Sequence, residues 1–202
     1  MKKVICLGDS LTYGYQVPRR ETWTARAEAD AGLNFVNRGI NGDTTGGMLA
    51  RLGSEVLDQA PDALILTGGT NDIITSGSSA NARSNVAAIT HQAAARGLPC
   101  FLGTPIPVDL PRVRPDWAAL TDFARMMEVT RDYVDWLLGY GRIFGFPTID
   151  FWRLFAVGPD FGGNPELYLS DGLHPNAAGH SLMAGEVVKV LGKNGATAPI
   201  QV

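Results

Sequence analysis

Cysteine and histidine are scarce in this chain, with two of the first and three of the second among 202 residues. Cys6 and Cys100 each fall inside a short apolar run that reads as a buried strand, where a thiol behaves as a small hydrophobe. With one strand between them, two spacings of about 4.8 Å exceed the separation a disulfide tolerates. Neither a disulfide nor a metal site is expected, and no cofactor. Charge is sparse too: charged residues make up 18% of the chain and the net charge is −3, which gives no electrostatic case for nucleic acid or an anionic membrane surface. No apolar run approaches the ~20 residues needed to span a bilayer. After Lys2 and Lys3 the apolar stretch Val4 to Leu7 is far shorter than the ~7–15 residues of a signal peptide's core. The chain as given therefore reads as cytoplasmic, or as periplasmic or secreted if a signal peptide has been removed from it. The first loop holds Gly8 and Gly14 but no Gly-x-Gly-x-x-Gly run and no Walker lysine, which counts against a phosphate- or nucleotide-binding module. Repeats, low-complexity segments and domain linkers are missing as well.

What is present is a globular composition, 45% apolar, at a length suited to one ordinary domain. Residues 1–192 are expected to form it, with 193–202 as a loosely held tail. Five apolar runs without clean alternation look like parallel strands covered on both faces: Lys3–Leu7, Leu33–Asn37, Ala63–Thr67, Pro99–Gly103 and Phe146–Asp150. Helical periodicity lies between and after them. It is carried by Leu49, Leu52, Gly53, Val56 and Leu57, by Leu120, Phe123, Ala124 and Met127, and by Met183, Val187, Val190 and Leu191. A weaker pattern over 81–96 holds Val86, Ile89 and Ala93. The alternation predicts an α/β fold, a three-layer α/β/α sandwich with a flavodoxin-like five-stranded parallel sheet in the order 2-1-3-4-5. Two connections are long: Thr104 to Asp116, with four of the twelve prolines, and Phe151 to Ser170, rich in glycine and aromatics. Both leave the carboxyl ends of strands, the edge at which open α/β sheets bind ligands.

Four polar motifs follow strands in order: Gly8-Asp9-Ser10-Leu11, Asn41-Gly42-Asp43, Gly69-Thr70-Asn71-Asp72 and Asp171-Gly172-Leu173-His174-Pro175. A serine hydroxyl is a weak nucleophile that needs a base within reach. Histidine suits that task, since its ordinary pKa near 6.5 lets it take and return a proton around neutrality. His91 and His180 fall in predicted helices, where packing or exposure explains them. His174 stands in a turn before Pro175, which is expected to open the last helix at its first position. Asp171, three residues earlier, can orient the imidazole so that its other nitrogen faces Ser10. Donors for a developing oxyanion are available from the Ser10 backbone N–H, the Gly42 backbone N–H and the Asn71 amide. Taken singly, Gly42 and Asn71 are equally ordinary turn formers, and Asp9, Asp43 and Asp72 are assigned to holding loops.

These four blocks resemble those of the SGNH (GDSL) hydrolase superfamily, with order and spacing matched from residue 8 to residue 175. The chain is similar to its compact bacterial esterase, thioesterase and lysophospholipase members. The resemblance implies a flavodoxin-like sheet, Ser10 as nucleophile, His174 as base, Asp171 as its orienter, and an oxyanion hole of Ser10, Gly42 and Asn71. The expected activity is hydrolysis of carboxylic esters, short acyl or aryl, through an acyl-enzyme and without a cofactor. An acyl- or acetyltransferase or a carbohydrate deacetylase on the same residues stands as the alternative. The partner is a small-molecule ester. Ile106, Val108, Leu110 and Trp117 above the fourth strand, with Phe151, Trp152, Phe155 and Phe161 above the fifth, are candidates for the substrate pocket, and loop packing or a subunit contact would use the same residues.

Overall fold

The structure is a computed structural model that describes residues 2–158 and 162–195. Phe161 and residues 196–202 of the expected tail lie outside the described residues. The chain runs β1 (Lys3–Gly8), α1 (Ser10–Tyr13), α2 (Trp23–Ala31), β2 (Asn34–Gly39), α3 (Thr45–Glu55), β3 (Ala63–Thr67), α4 (Thr70–Ser76), α5 (Ala80–Ala95), β4 (Cys100–Gly103), α6 (Pro115–Ala118), α7 (Phe123–Phe144), β5 (Thr148–Ile149), α8 (Phe151–Phe155), the pair β6 (Ala156–Val157) and β7 (Gly162–Gly163), and α9 (Ala177–Lys193). The five main strands form one sheet in the order β2-β1-β3-β4-β5, all parallel, as the alternation predicted.

Strand side chains alternate between two apolar layers. Ile5, Leu7, Leu64, Leu66, Cys100 and Leu102 pack under α3, α5 and α7. Val4, Cys6, Ile65 and Phe101 pack under α2, α8 and α9. The two free, buried cysteines thus sit in different layers, with β3 between their strands. Among the described residues no group of three or more acidic, histidine or cysteine side chains could hold a metal ion, and no helix is long and apolar enough to cross a membrane.

Helix starts follow the side chains available to satisfy the first free N–H groups. Thr22, Thr44, Asp122, Asp150 and Asn176 each accept from a backbone N–H in the first turn of α2, α3, α7, α8 and α9. This detail moves two expected boundaries. Asn176, not Pro175, sets the start of α9, because an asparagine side chain can accept from both Ala178 and Gly179, at 2.9 and 3.1 Å. Asp122 starts α7 at Phe123, so Leu120 falls outside the helix and is 82% exposed. From Phe123 the helix continues for 22 residues with Met126, Met127, Thr130, Tyr133, Val134 and Leu137 on its buried side. At the sheet edge β5 shrinks to two residues, since only Leu102 and Gly103 of β4 remain opposite it.

Candidate active site

β1 ends in Gly8, and the chain turns at once into α1 with Asp9 as its cap. Room for that turn requires glycine: a Cβ on residue 8 would lie 2.2 Å from Thr12 Oγ1 and 2.8 Å from the Thr67 carbonyl oxygen. Asp9 Oδ1 accepts from the Leu11 N–H at 2.9 Å. Ser10 is the first residue of α1, so its backbone N–H has no partner within the helix. The Asp9 carboxyl is 1% exposed and its Oδ2 has no hydrogen-bond partner among the described residues. Burial, opposed by the Leu11 N–H and reinforced by the charges of Asp43 and Asp72, pushes it up to about 7.

The turn before α9 brings the second half of the site to Ser10. His174 Nε2 lies 2.9 Å from Ser10 Oγ, and His174 Nδ1 lies 2.9 Å from Asp171 Oδ2. An ionised carboxylate only accepts, so Nδ1 carries the hydrogen and Nε2 offers its lone pair to the serine hydroxyl. Asp171 Oδ1 accepts from the backbone N–H groups of Leu173 and His174, both at 2.9 Å. Burial works to raise the Asp171 carboxyl, but the His174 ring and these two backbone donors outweigh it and hold the group below its ordinary value. Gly172 makes the turn possible with φ +69°, and a Cβ there would meet the Asp109 carbonyl oxygen at 2.5 Å. The same segment braces the turn, as Asp109 N–H donates to the Gly172 carbonyl at 2.8 Å.

Gly42 comes from the loop after β2 and Asn71 from the helix that follows β3. Gly42 has φ +77° with open space where a Cβ would stand, so backbone conformation rather than crowding favours glycine here. Asn71 lies in the first turn of α4 and donates from Nδ2 to the Asp43 carbonyl oxygen at 2.9 Å. Asp72 holds the neighbouring loop by accepting from the Thr45 N–H at 2.9 Å and its hydroxyl at 2.7 Å. Ser10, His174, Gly42 and Asn71 all line one cleft of about 260 Å³.

Of the expected pocket residues, Trp117 lines this cleft, its ring edge-on to His174 at 6.0 Å and covered on one side by Arg114 at 4.6 Å. Ile106 is 2% exposed and backs a narrow crevice behind Ser10 and His174. Val108 and Trp152 are corrections. Val108 is wholly buried, with its N–H on Met127 Sδ at 3.0 Å and its carbonyl on the Gly163 N–H at 3.1 Å, because the chain after β4 runs through the core before it surfaces. Trp152 donates its backbone N–H to Thr104 Oγ1 at 2.9 Å and lines a separate recess along α7 that Leu110 shares. Phe151 and Phe155 are core. Sequence reasoning missed Tyr15, whose ring lies 4.3 Å from that of His174 at 36°, and Ile74, Leu120 and Phe123, which complete the apolar wall. Tyr15 stands five residues past the serine on the same turn, a position from which it was legible. His91 packs edge-on to Tyr140 and Phe144 and His180 is buried in α9, so both stay away from the serine.

A hydroxyl with an imidazole lone pair on it, a carboxylate behind the imidazole and amide donors in the same cleft can form and break an acyl bond. Comparison with known proteins agrees with that chemistry. The model of the GDSL-like Lipase/Acylhydrolase family matches residues 6–182. An arylesterase of Vibrio mimicus is 42% identical over 77 residues, 35% of this chain and 38% of that protein, so the match spans well under half of that relative. Esterase TesA of Pseudomonas aeruginosa is 26% identical over 171 residues, 81% of this chain and 83% of that protein. The crystal structure of a lipase/acylhydrolase from Enterococcus faecalis superposes with a TM-score of 0.77 at 25% identity, covering 96% of this chain and 97% of that one.

Proposed function

The chain belongs to the GDSL-like lipase/acylhydrolase family, and on that premise we propose that it hydrolyses carboxylic esters by way of an acyl-enzyme on Ser10. The observation that carries the proposal is the continuous line Asp171 Oδ2, His174, Ser10 Oγ, with 2.9 Å at each hydrogen bond, opening into an apolar cleft. In the first half-reaction His174 Nε2 takes the hydroxyl proton as Ser10 Oγ attacks the acyl carbon. The negative charge that moves onto the carbonyl oxygen is received by the N–H groups of Ser10, Gly42 and Asn71. The tetrahedral centre collapses, the ester C–O bond breaks, and the leaving alkoxide takes the proton from His174. Water then enters by the same route: His174 takes its proton, the hydroxide adds to the acyl carbon, and Ser10 Oγ leaves with the proton returned.

The cleft supports a small apolar ester as substrate. Its volume of about 260 Å³ falls below the ~300–1,000 Å³ of sites that enclose drug-sized ligands, and Ile74, Trp117, Leu120 and Phe123 give it an apolar wall. One short acyl chain or one aryl ring fits such a space better than a two-chain lipid. Hydrolysis of p-nitrophenyl esters from acetate to palmitate tests this. Turnover is expected to peak at the short chains and to vanish in Ser10→Ala. A flat or rising rate to palmitate would overturn the short-ester assignment, and full activity in Ser10→Ala would overturn the mechanism.

A further inference from the structure

One residue outside all four motifs ties together the three loops that meet at the cleft. Arg51, in the middle of α3, has a side chain only 12% exposed. Its Nε and Nη2 both reach Asp43 Oδ2, at 2.9 and 2.8 Å. Nη2 also donates to the carbonyl oxygen of Gly8, the last residue of β1, at 3.1 Å, and Nη1 meets Glu55 Oε2 at 2.7 Å. Gly47, one helical turn before Arg51, leaves room for the Asp43 carboxylate, since a Cβ there would stand 1.9 Å from Oδ1. Asp43 in turn accepts from Asn71 Nδ2 through its backbone carbonyl at 2.9 Å. An amide NH₂ has two hydrogens. With one held by Asp43, the plane of the Asn71 amide is set and the direction of the second hydrogen with it.

We propose that Arg51 is a positioning residue that acts through Asp43 to aim the Asn71 amide at the oxyanion. The proposal rests on the reading of Asn71 as an oxyanion donor given above. Strand pairing fixes β1, β2 and β3 against one another, but the donors lie past the strand ends, Ser10 and Asn71 in the first turns of α1 and α4 and Gly42 in the loop after β2. A preorganised donor lowers the barrier only if it already points at the place where charge develops, and a misplacement near 1 Å can cost about 10²-fold. The backbone already joins the Ile40 N–H to the Gly8 carbonyl at 3.0 Å; Arg51 adds a second tie to that same oxygen and carries it on to the Asp43 side chain. The planar fork of a guanidinium serves a carboxylate and a carbonyl at once. A lysine ammonium, a single point charge, cannot keep both in the same geometry. An ordinary helix-surface pair with Glu55 would need none of this, and exposed pairs of that kind contribute little.

A double-mutant cycle on p-nitrophenyl acetate tests the proposal. Asn71→Ala alone is expected to lower kcat about 10²–10³-fold. Arg51→Met alone is expected to lower kcat roughly 10–100-fold, with KM little changed, because the loss falls on the transition state. In the Asn71→Ala background Arg51→Met has no amide left to aim, so it should cost far less than it does alone. Arg51→Lys, run through the same cycle, should show a smaller loss with the same lack of additivity, and it keeps the test open if Arg51→Met does not fold. Wild-type kcat in Arg51→Met, or two losses that multiply in full, would overturn the role of Arg51 while leaving Asn71 as a donor. An unchanged kcat in Asn71→Ala would overturn the donor reading itself, and the Arg51 proposal with it.

Discussion

Asp171 meets His174 twice, with a different oxygen each time: Oδ2 reaches the ring at Nδ1, and Oδ1 accepts the backbone N–H of the same residue, each at 2.9 Å. One carboxylate therefore fixes both the turn that presents the histidine and the tautomer of its ring. The spacing of three residues makes this possible, because an aspartate side chain is long enough to close a turn on itself while one oxygen stays available.

Asp171→Asn separates the two tasks. The asparagine carbonyl can still close the turn, but its NH₂ facing Nδ1 favours a ring whose Nε2 carries the hydrogen and cannot accept from Ser10. We expect kcat to fall about 10³–10⁴-fold with the thermal midpoint reduced much less than activity. Steady-state kinetics beside a melting curve decide it, and a variant within tenfold of wild type would remove Asp171 from the mechanism.

Trp117 is the expected pocket residue that lines the cleft, edge-on to His174. Trp117→Ala should open that wall and lower kcat/KM for short aryl esters by roughly 10–200-fold, with the preferred acyl chain growing longer. Unchanged selectivity across a p-nitrophenyl ester series would show that substrate does not touch the indole.

Two buried groups outside the proton-transfer line pull stability in opposite directions with pH. His180 accepts the Trp23 backbone N–H on Nδ1 at 3.1 Å; burial, with the charges of Arg26 and His174, lowers it from 6.5 to about 4. The unfolded chain binds the proton first, so this group costs stability as pH falls from 6.5 through 4. Asp9, raised from 3.8 to about 7, takes up its proton first in the fold, and its contribution is lost as pH rises from 3.8 through 7. Each shift corresponds to something on the order of 3–4 kcal/mol, so between pH 4 and 6.5 they offset. Chemical denaturation across that window should show His180→Gln gaining stability toward acid and Asp9→Asn losing it. Parallel profiles in the two variants would contradict both assignments.

The sheet and its order were legible because buried parallel strands leave short, unbroken apolar runs, and β3 matches its run residue for residue at Ala63–Thr67. That Ser10, Gly42, Asn71 and His174 would meet in one cleft was legible because each belongs to a polar motif at the carboxyl end of a strand or before the last helix. What escaped depends on geometry beyond a single element. The apolar run at 104–108 carries the same residue types as a pocket wall, and only the Met127 and Gly163 contacts place Val108 in the core. Trp152 lines a different recess from the serine, along α7 with Leu110, which its place after the fifth strand does not reveal. Arg51 has no motif of its own: its part follows from Asp43, Gly8 and Gly47 meeting around it.

The most direct test of the central claim is to treat the protein with a fluorophosphonate, digest it and locate the adduct by mass spectrometry. Phosphonylation of Ser10 in the wild type, and its near loss in His174→Ala, is the predicted result. An adduct on another residue, or equal labelling of Ser10 without His174, would contradict the account.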